Sequence, residues 1–156
     1  MKVLYICTHN RCRSILSEAI TNHVAGDRIE AKSAGSQPSG VVHPLSIHYL
    51  KEANISVDGL RSQSWDEFEA FKPDLVVTVC DAAAGEACPV WFGNSVKVHW
   101  GLADPSKIKG SEEEKAQGFR ACIDKITTRV KKLMPLAEKN LSHEALKAEL
   151  KKLGAQ

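Results

Sequence analysis

Four short apolar runs alternate with segments of helical periodicity, and that alternation restricts the chain to few folds. The runs are KVLYIC (2–7), IEAKSAG (29–35), LVVTVC (75–80) and VKVHW (96–100). The third is nearly uninterrupted and rich in β-branched residues, the pattern of a strand covered on both faces. After the first run, Ile15, Leu16, Ala19, Ile20 and Val24 recur at helical spacing. A second helix is expected over HPLSIHYLKEA (43–53), with Pro44 in a first turn that tolerates it. Ser64 with Glu67 forms a capping box for a helix over WDEFEAF, ended by Lys72-Pro73. Ser111 with Glu114 forms another box, after which Phe119, Ile123, Ile126, Val130 and Leu133 mark the clearest amphipathic helix. A basic stretch, SHEALKAELKKL (142–153), predicts a short exposed helix within a C-terminal extension over 142–156. Together these predict an α/β fold: a three-layer sandwich with a four-stranded parallel sheet flanked by helices.

A chain of 156 residues suits a single domain, 1–156, and neither repeat nor linker interrupts it. The formal net charge of +2 is too small to point to nucleic acid or a membrane surface. No apolar run approaches the roughly 18 residues of a spanning helix. The opening MKVLYICTHN lacks a small-residue cleavage site and reads as a first strand, which predicts a cytoplasmic protein. In that compartment the five cysteines, at 7, 12, 80, 88 and 122, suggest catalysis, redox or metal chemistry over a disulfide framework. His9, His43, His48 and His99 show no metal-ligand spacing, so no metal centre is expected from them. Cys122 and the tryptophans Trp65, Trp91 and Trp100 read as packing residues.

In parallel sheets ligands collect beyond the carboxyl ends of the strands. Three chemistry-bearing pieces fall on that edge: CTHNRCRS (7–14), Cys80 at the end of the third run, and WGLADPS (100–106) after the fourth. As a bare pattern, Cys7-x5-Arg13 is weak. Its setting strengthens it, because Arg11 and Arg13 stand at a helix start, where the dipole disfavours cations. A bound tetrahedral oxyanion resolves that conflict. Thr8, His9, Asn10, Arg11, Cys12, Arg13 and Ser14 would form an anion nest, and Arg13 can grip two oxygens with its planar fork. A thiol in such surroundings ionises at roughly pH 3.5–7.5 instead of about 8.5. Cys7 is therefore expected as a thiolate facing an oxyanion, ready for covalent attack on phosphorus or arsenic. Ser14 can donate a hydrogen bond to it, and Asn10 is the non-glycine residue best suited to a left-handed turn.

CTHNRCRS with a later DP resembles the low-molecular-weight protein tyrosine phosphatases, whose signature is C-x5-R-S near the amino terminus. VVTVCDAAAGEACPVWFG (76–93) and HWGLADPS (99–106) resemble the arsenate reductase branch of that family. The resemblance implies that Cys7 attacks arsenate, Arg13 holds the oxyanion, and Asp104 protonates the departing oxygen. Acid catalysis of that kind contributes typically about 10²–10⁴-fold. It also implies a relay in which Cys80 attacks Cys7 and releases arsenite, Cys88 attacks Cys80, and thioredoxin reduces the resulting disulfide. Other relatives use glutathione and glutaredoxin instead. Seven residues separate Cys80 from Cys88, so the segment between them is expected to move, with a helical turn over 82–84 unwinding at Gly85.

No tightly bound cofactor is implied. Glu18, Ser33, Ser64 and Asp66 match positions that hold a structural potassium ion in some relatives; ordinary capping and solvent-facing polarity account for the same residues. Arsenate is the implied substrate, phosphate and sulfate its mimics, and the protein is expected to be a monomer. Two other readings stay open. A phosphatase would share Cys7, Arg13 and Asp104, but would follow DP with aromatic residues, where this chain has Ser106 and Lys107. A non-enzymatic binder of arsenite or a soft metal would use Cys7, Cys80 and Cys88, against the charge of Arg13. Cys12 is expected to pack, with a protective disulfide to Cys7 as the alternative.

Overall fold

The four predicted strands form one parallel sheet in the computed structural model, which describes residues 1–80, 95–139 and 141–154. They are β1 (Lys2–Ile6), β2 (Glu30–Ala34), β3 (Leu75–Thr78) and β4 (Val96–His99), in the order β2-β1-β3-β4. Every pairing is parallel. β1 is flanked on both edges and its Val3, Leu4, Tyr5 and Ile6 are all buried, which is why its sequence shows no alternation. β4 lies at the edge and does alternate, with Val96 and Val98 inward and Lys97 and His99 outward.

The helices are α1 (Arg13–Ala25), α2 (Pro44–Glu52), α3 (Glu112–Glu138) and α4 (His143–Gly154). α1 packs on β1 and β2 and against α3, so it is buried almost all round and can place Ser14, Ser17 and Thr21 in the interior. Those hydroxyls are satisfied locally. Thr21 meets the buried Tyr5 hydroxyl at 2.8 Å and donates to the Ser17 carbonyl at 2.7 Å.

Two expectations from the sequence need correction. WDEFEAF keeps its predicted capping box but winds as a 3₁₀ helix, Trp65–Phe71. Only Phe68 is buried there, and Pro73 denies Lys72 the α conformation, so Lys72 turns left-handed at φ +50° and ends the segment. The basic C-terminal helix is not merely exposed. α4 lies against β4 with Leu146 and Leu150 buried, and the Trp100 indole donates to the Leu150 carbonyl at 2.9 Å. Its apolar stripe is narrow enough to be hidden by the lysines around it.

The order of strands decides where the site lies. After β1 the chain crosses to one side to make β2, then returns past β1 to make β3 on the other. The connections therefore diverge between the carboxyl ends of β1 and β3, opening a crevice there. Register makes the two ends neighbours: Ile6 pairs with Thr78, and the Val79 N–H donates to the Ile6 carbonyl at 3.0 Å.

If α4 is part of the core, Leu150→Ala should lower the unfolding free energy by about 2–5 kcal/mol. Urea unfolding would measure it, and a loss below about 0.5 kcal/mol, as on an open surface, would show that α4 is dispensable.

Candidate active site

The loop between β1 and α1 is shaped from behind. Its Thr8 carbonyl accepts from the Gln37 N–H at 2.9 Å, the His9 carbonyl from the Ser39 N–H at 3.0 Å and the Ser62 hydroxyl at 3.1 Å, and the Arg11 carbonyl from the His43 N–H at 2.9 Å. With these oxygens tied outward, the alternate peptide dipoles turn their positive ends inward. Asn10 sits left-handed at φ +46°, as its sequence position predicts. It is fully buried and braces the loop with both ends of its amide, donating to the Ser14 hydroxyl at 2.8 Å and accepting from the Gln63 N–H at 2.9 Å. Ser14 is the acceptor there, so its own proton is available to donate. At the start of α1, the N-cap Cys12 makes no side-chain cap bond and the first turn holds no acid. Nothing local offsets the positive end of the helix.

Gly35, just past β2, completes the backing. A Cβ there would collide with the carbonyl oxygens of Cys7 and Thr8, so only glycine lets the two segments approach. Sequence reasoning passed over Gly35 and Gln63, which donates from its side chain to the Ser33 carbonyl at 3.1 Å. The SAG at the end of the second run was the one available signal.

Arg13 and Asp104 meet across this cup. One terminal nitrogen of Arg13 donates to the Leu102 carbonyl at 3.1 Å, and the other lies 3.6 Å from the Asp104 carboxylate. Among the described residues the buried Arg13 Nε has no hydrogen-bond partner. Asp104 caps the short 3₁₀ turn Pro105–Lys107, accepting from the Ser106 N–H at 2.9 Å and the Ser106 hydroxyl at 2.6 Å. Ser106, notable in the sequence only for not being aromatic, is thus the residue that orients the carboxylate.

Cys80, past the end of β3, is buried, with its sulfur 3.8 Å from the Thr8 hydroxyl and near enough to Cys7 to perturb that thiol. Cys7, Arg13, Asp104 and Cys80 therefore converge; Cys88 lies outside the described residues. Burial pushes Cys12 up to about 11 and Cys122 up to about 12, both values of inert packing thiols. His43 caps α2, its Nδ1 accepting from the Leu45 N–H at 3.1 Å, and burial with the nearby Arg11 charge lowers its pKa. Glu18 accepts from the Ser33 hydroxyl at 2.6 Å, and burial raises its pKa.

Residues 2–152 match the family described as low molecular weight phosphotyrosine protein phosphatase. The chain belongs to that family. A curated relative from Halalkalibacterium halodurans, an arsenate reductase, is 40% identical over 83% of this chain and 93% of its own. Among solved structures, an arsenate reductase in its phosphate-binding state is similar, with a TM-score of 0.69 and 25% identity over 88% of this chain and 98% of that one. So is a thioredoxin-dependent arsenate reductase of Corynebacterium glutamicum, with a TM-score of 0.67 and 26% identity over 88% of this chain and 61% of that one.

Within this phosphatase-family cup, one expectation is reversed. The reduced pair of thiols does not hold Cys7 as a ready thiolate. Interaction with the neighbouring Cys80 thiol, then burial, raise the Cys7 pKa, against the opposing pull of the Arg13 guanidinium and the His9 backbone N–H. Two buried sulfurs in contact cannot both ionise, and whichever does so first holds the other's proton in place. Replacing Cys80 by alanine should accordingly make Cys7 ionise at lower pH. Iodoacetamide alkylation of Cys7 would then become faster at neutral pH, and slower alkylation would mean that Cys80 stabilises the thiolate.

Proposed function

We propose that this protein is an arsenate reductase that works through a covalent intermediate on Cys7 and a relay of three thiols. The Cys7 thiolate attacks arsenic(V), and Asp104 protonates the oxygen that departs as water. Arg13 and the loop N–H groups hold the remaining oxygens, and their fixed charges stabilise the negative charge that builds there. The Cys80 thiolate then attacks the Cys7 sulfur. A sulfur–sulfur bond forms, the electron pair of the sulfur–arsenic bond passes to arsenic, and arsenic(III) leaves as arsenite. The Cys88 thiolate next attacks Cys80, freeing Cys7 as a thiolate and leaving a Cys80–Cys88 disulfide. An external dithiol restores it by exchange.

The observation that carries this reading is that the buried Cys7 and Cys80 leave paired strand ends, Ile6 opposite Thr78, with the Cys80 sulfur 3.8 Å from the hydroxyl of Thr8, the residue after Cys7. Hydrolysis of a phosphate ester needs one nucleophile and no electrons, so a second thiol against the first has no task in a phosphatase. The relatives named as arsenate reductases support the substrate, and the thioredoxin-dependent one favours thioredoxin over glutathione with glutaredoxin. A monomer acting in the cytoplasm, where thiols are kept reduced, suits such a relay. Among the described residues no helix is long and apolar enough to cross a membrane.

A potassium ion fits part of its expected donor set. Glu18 and Ser33 present oxygens side by side, and a cation there would offset the burial of the Glu18 carboxylate. The Ser64 hydroxyl is already used to cap the Asp66 N–H at 3.1 Å. Because the folded-state pKa of Glu18 is raised, its burial costs stability as pH climbs above the ordinary value of 4.5 and none well below it. Potassium chloride should then raise the melting temperature at neutral pH above that in tetramethylammonium chloride, and Glu18→Gln should abolish the difference. Equal melting in the two salts would remove the ion.

The reaction itself is tested by arsenate-dependent NADPH consumption, coupled to thioredoxin and its reductase and, in parallel, to glutaredoxin. Cys7→Ser should eliminate turnover while retaining phosphate binding, and Cys88→Ala should halt the thioredoxin-coupled reaction after one turnover. Near-normal reduction by Cys7→Ser would end the nucleophile assignment; undiminished turnover by Cys88→Ala would transfer the last step to another thiol.

A further inference from the structure

The apolar stripe of α3 carries one residue that does not belong on it. Phe119, Ile123, Ile126, Val130 and Leu133 face the core as their spacing predicts, and Arg129 faces it with them, only 5% exposed. Burying a guanidinium is costly unless its charge is met. Among the described residues no carboxylate lies within ion-pair distance of it, and Tyr5 and Cys122 are the ionisable groups beside it. A cavity of about 10 Å³ adjoins it, lined by Tyr5, Ser17, Val79 and Leu102 among others, with no room for an acid. An apolar residue of similar volume would pack here at lower cost.

What Arg129 meets is backbone. One terminal nitrogen donates to the Trp100 carbonyl at 3.1 Å and the other to the Gly101 carbonyl at 3.4 Å, while Nε is buried without a partner. These carbonyls lie where the chain leaves β4 for Asp104. The same stretch is tied on its other side, because the Trp100 N–H donates to the Thr78 carbonyl at 2.8 Å and the Leu102 N–H to the Val79 carbonyl at 3.0 Å. The next carbonyl along, Leu102, is held by Arg13 at 3.1 Å. Three successive carbonyls are therefore gripped by two arginines, and Asp104 follows two residues later.

We propose that Arg129 is a positioning residue, a buried two-carbonyl clamp that fixes residues 100–101 and so sets where the Asp104 carboxylate stands relative to Cys7. This rests on the acid role given to Asp104 above. A planar fork suits two neighbouring carbonyls as a single ammonium does not. A displacement near 1 Å at a reacting group costs on the order of 100-fold.

The test uses the full-length reduced protein and measures single-turnover arsenite release against arsenate concentration, for Arg129→Met, Arg129→Lys, Asp104→Asn and the double variants. Arg129→Met should slow the maximal rate roughly 10- to 100-fold with little change in half-saturation, and Arg129→Lys, which keeps charge and bulk, should recover part of it. In the Asp104→Asn background the same changes should have an effect within about 2-fold, because residues acting through one group are not additive. A second readout is independent of catalysis: amide hydrogen exchange at Trp100 and Leu102 should accelerate in Arg129→Lys while exchange in β1 does not. If the effects of Arg129 and Asp104 multiply in full, or the exchange is unchanged, the clamp is overturned. Should Asp104→Asn alone leave the rate intact, the acid role falls, and exchange at Trp100 and Leu102 by itself decides whether the clamp stands.

Discussion

Parallel pairing of β1 with β3 is the constraint on which the site depends. The two strands are far apart in sequence, and their alignment brings Ile6 opposite Thr78, so that the residues leaving each strand emerge side by side. Cys7 and Cys80 meet because the sheet reverses its order of assembly between these strands, and no local preference of either segment would bring them together. The same edge receives the segment leaving β4 through the bond from the Trp100 N–H to the Thr78 carbonyl. The nucleophile, its sulfur neighbour and the carboxylate are thus set by strand register, with the loops contributing only the final orientation.

Electrostatics then works within that frame, in two opposing directions. Outward-tied carbonyls, an uncapped helix start and Arg13 make the cup positive, which favours an anion at its floor. Burial and the neighbouring thiol work against ionising Cys7. Two negative charges on this pair are disfavoured, and the proposed relay would join the same two sulfurs. Reactivity at Cys7 is therefore linked to the protonation of Cys80, a link a lone cysteine in the same cup would lack. Arg13 also divides its attention between the Leu102 carbonyl and the Asp104 carboxylate, so an oxyanion would compete with contacts already made.

Much of this was legible in the sequence, and the boundary of legibility is physical. The four strands declared themselves because buried parallel strands need continuous apolar runs, α1 because of its periodicity, and α2 and α3 because helix-start signals stood before them. Cys7, Arg13 and Asp104 stood out because they break a local rule or sit in a recognisable motif. Gly35, Gln63, Ser106 and Arg129 did not, since each acts on a partner reached only through the fold. Gly35 is required by a carbonyl 27 residues away in the chain, and Arg129 by carbonyls 28 and 29 away. The expectation of a low Cys7 pKa failed for the same reason. It counted the helix and arginines nearby in sequence, and could not count a thiol delivered by another strand. The exposed reading of α4 failed because a narrow apolar stripe among lysines gives a basic average composition.

The distribution of parts suggests how one family can carry two chemistries. On the proposed reading the cup, Arg13 and Asp104 would serve a tetrahedral oxyanion of arsenic or of phosphorus alike. What separates reduction from hydrolysis is whether a second sulfur can reach the first after the covalent adduct forms. That is decided at the end of β3, outside the loop that binds the anion. A thiol adduct of arsenic(V) has two electrons to gain by losing its sulfur to another thiol, whereas a phosphoryl adduct can only await water. On the proposed relay, keeping Cys80 near Cys7 would shorten that next step, at the cost of a less acidic nucleophile. The raised Cys7 pKa and the proposed relay are in that sense one feature, the electrostatic consequence of keeping the second sulfur within reach.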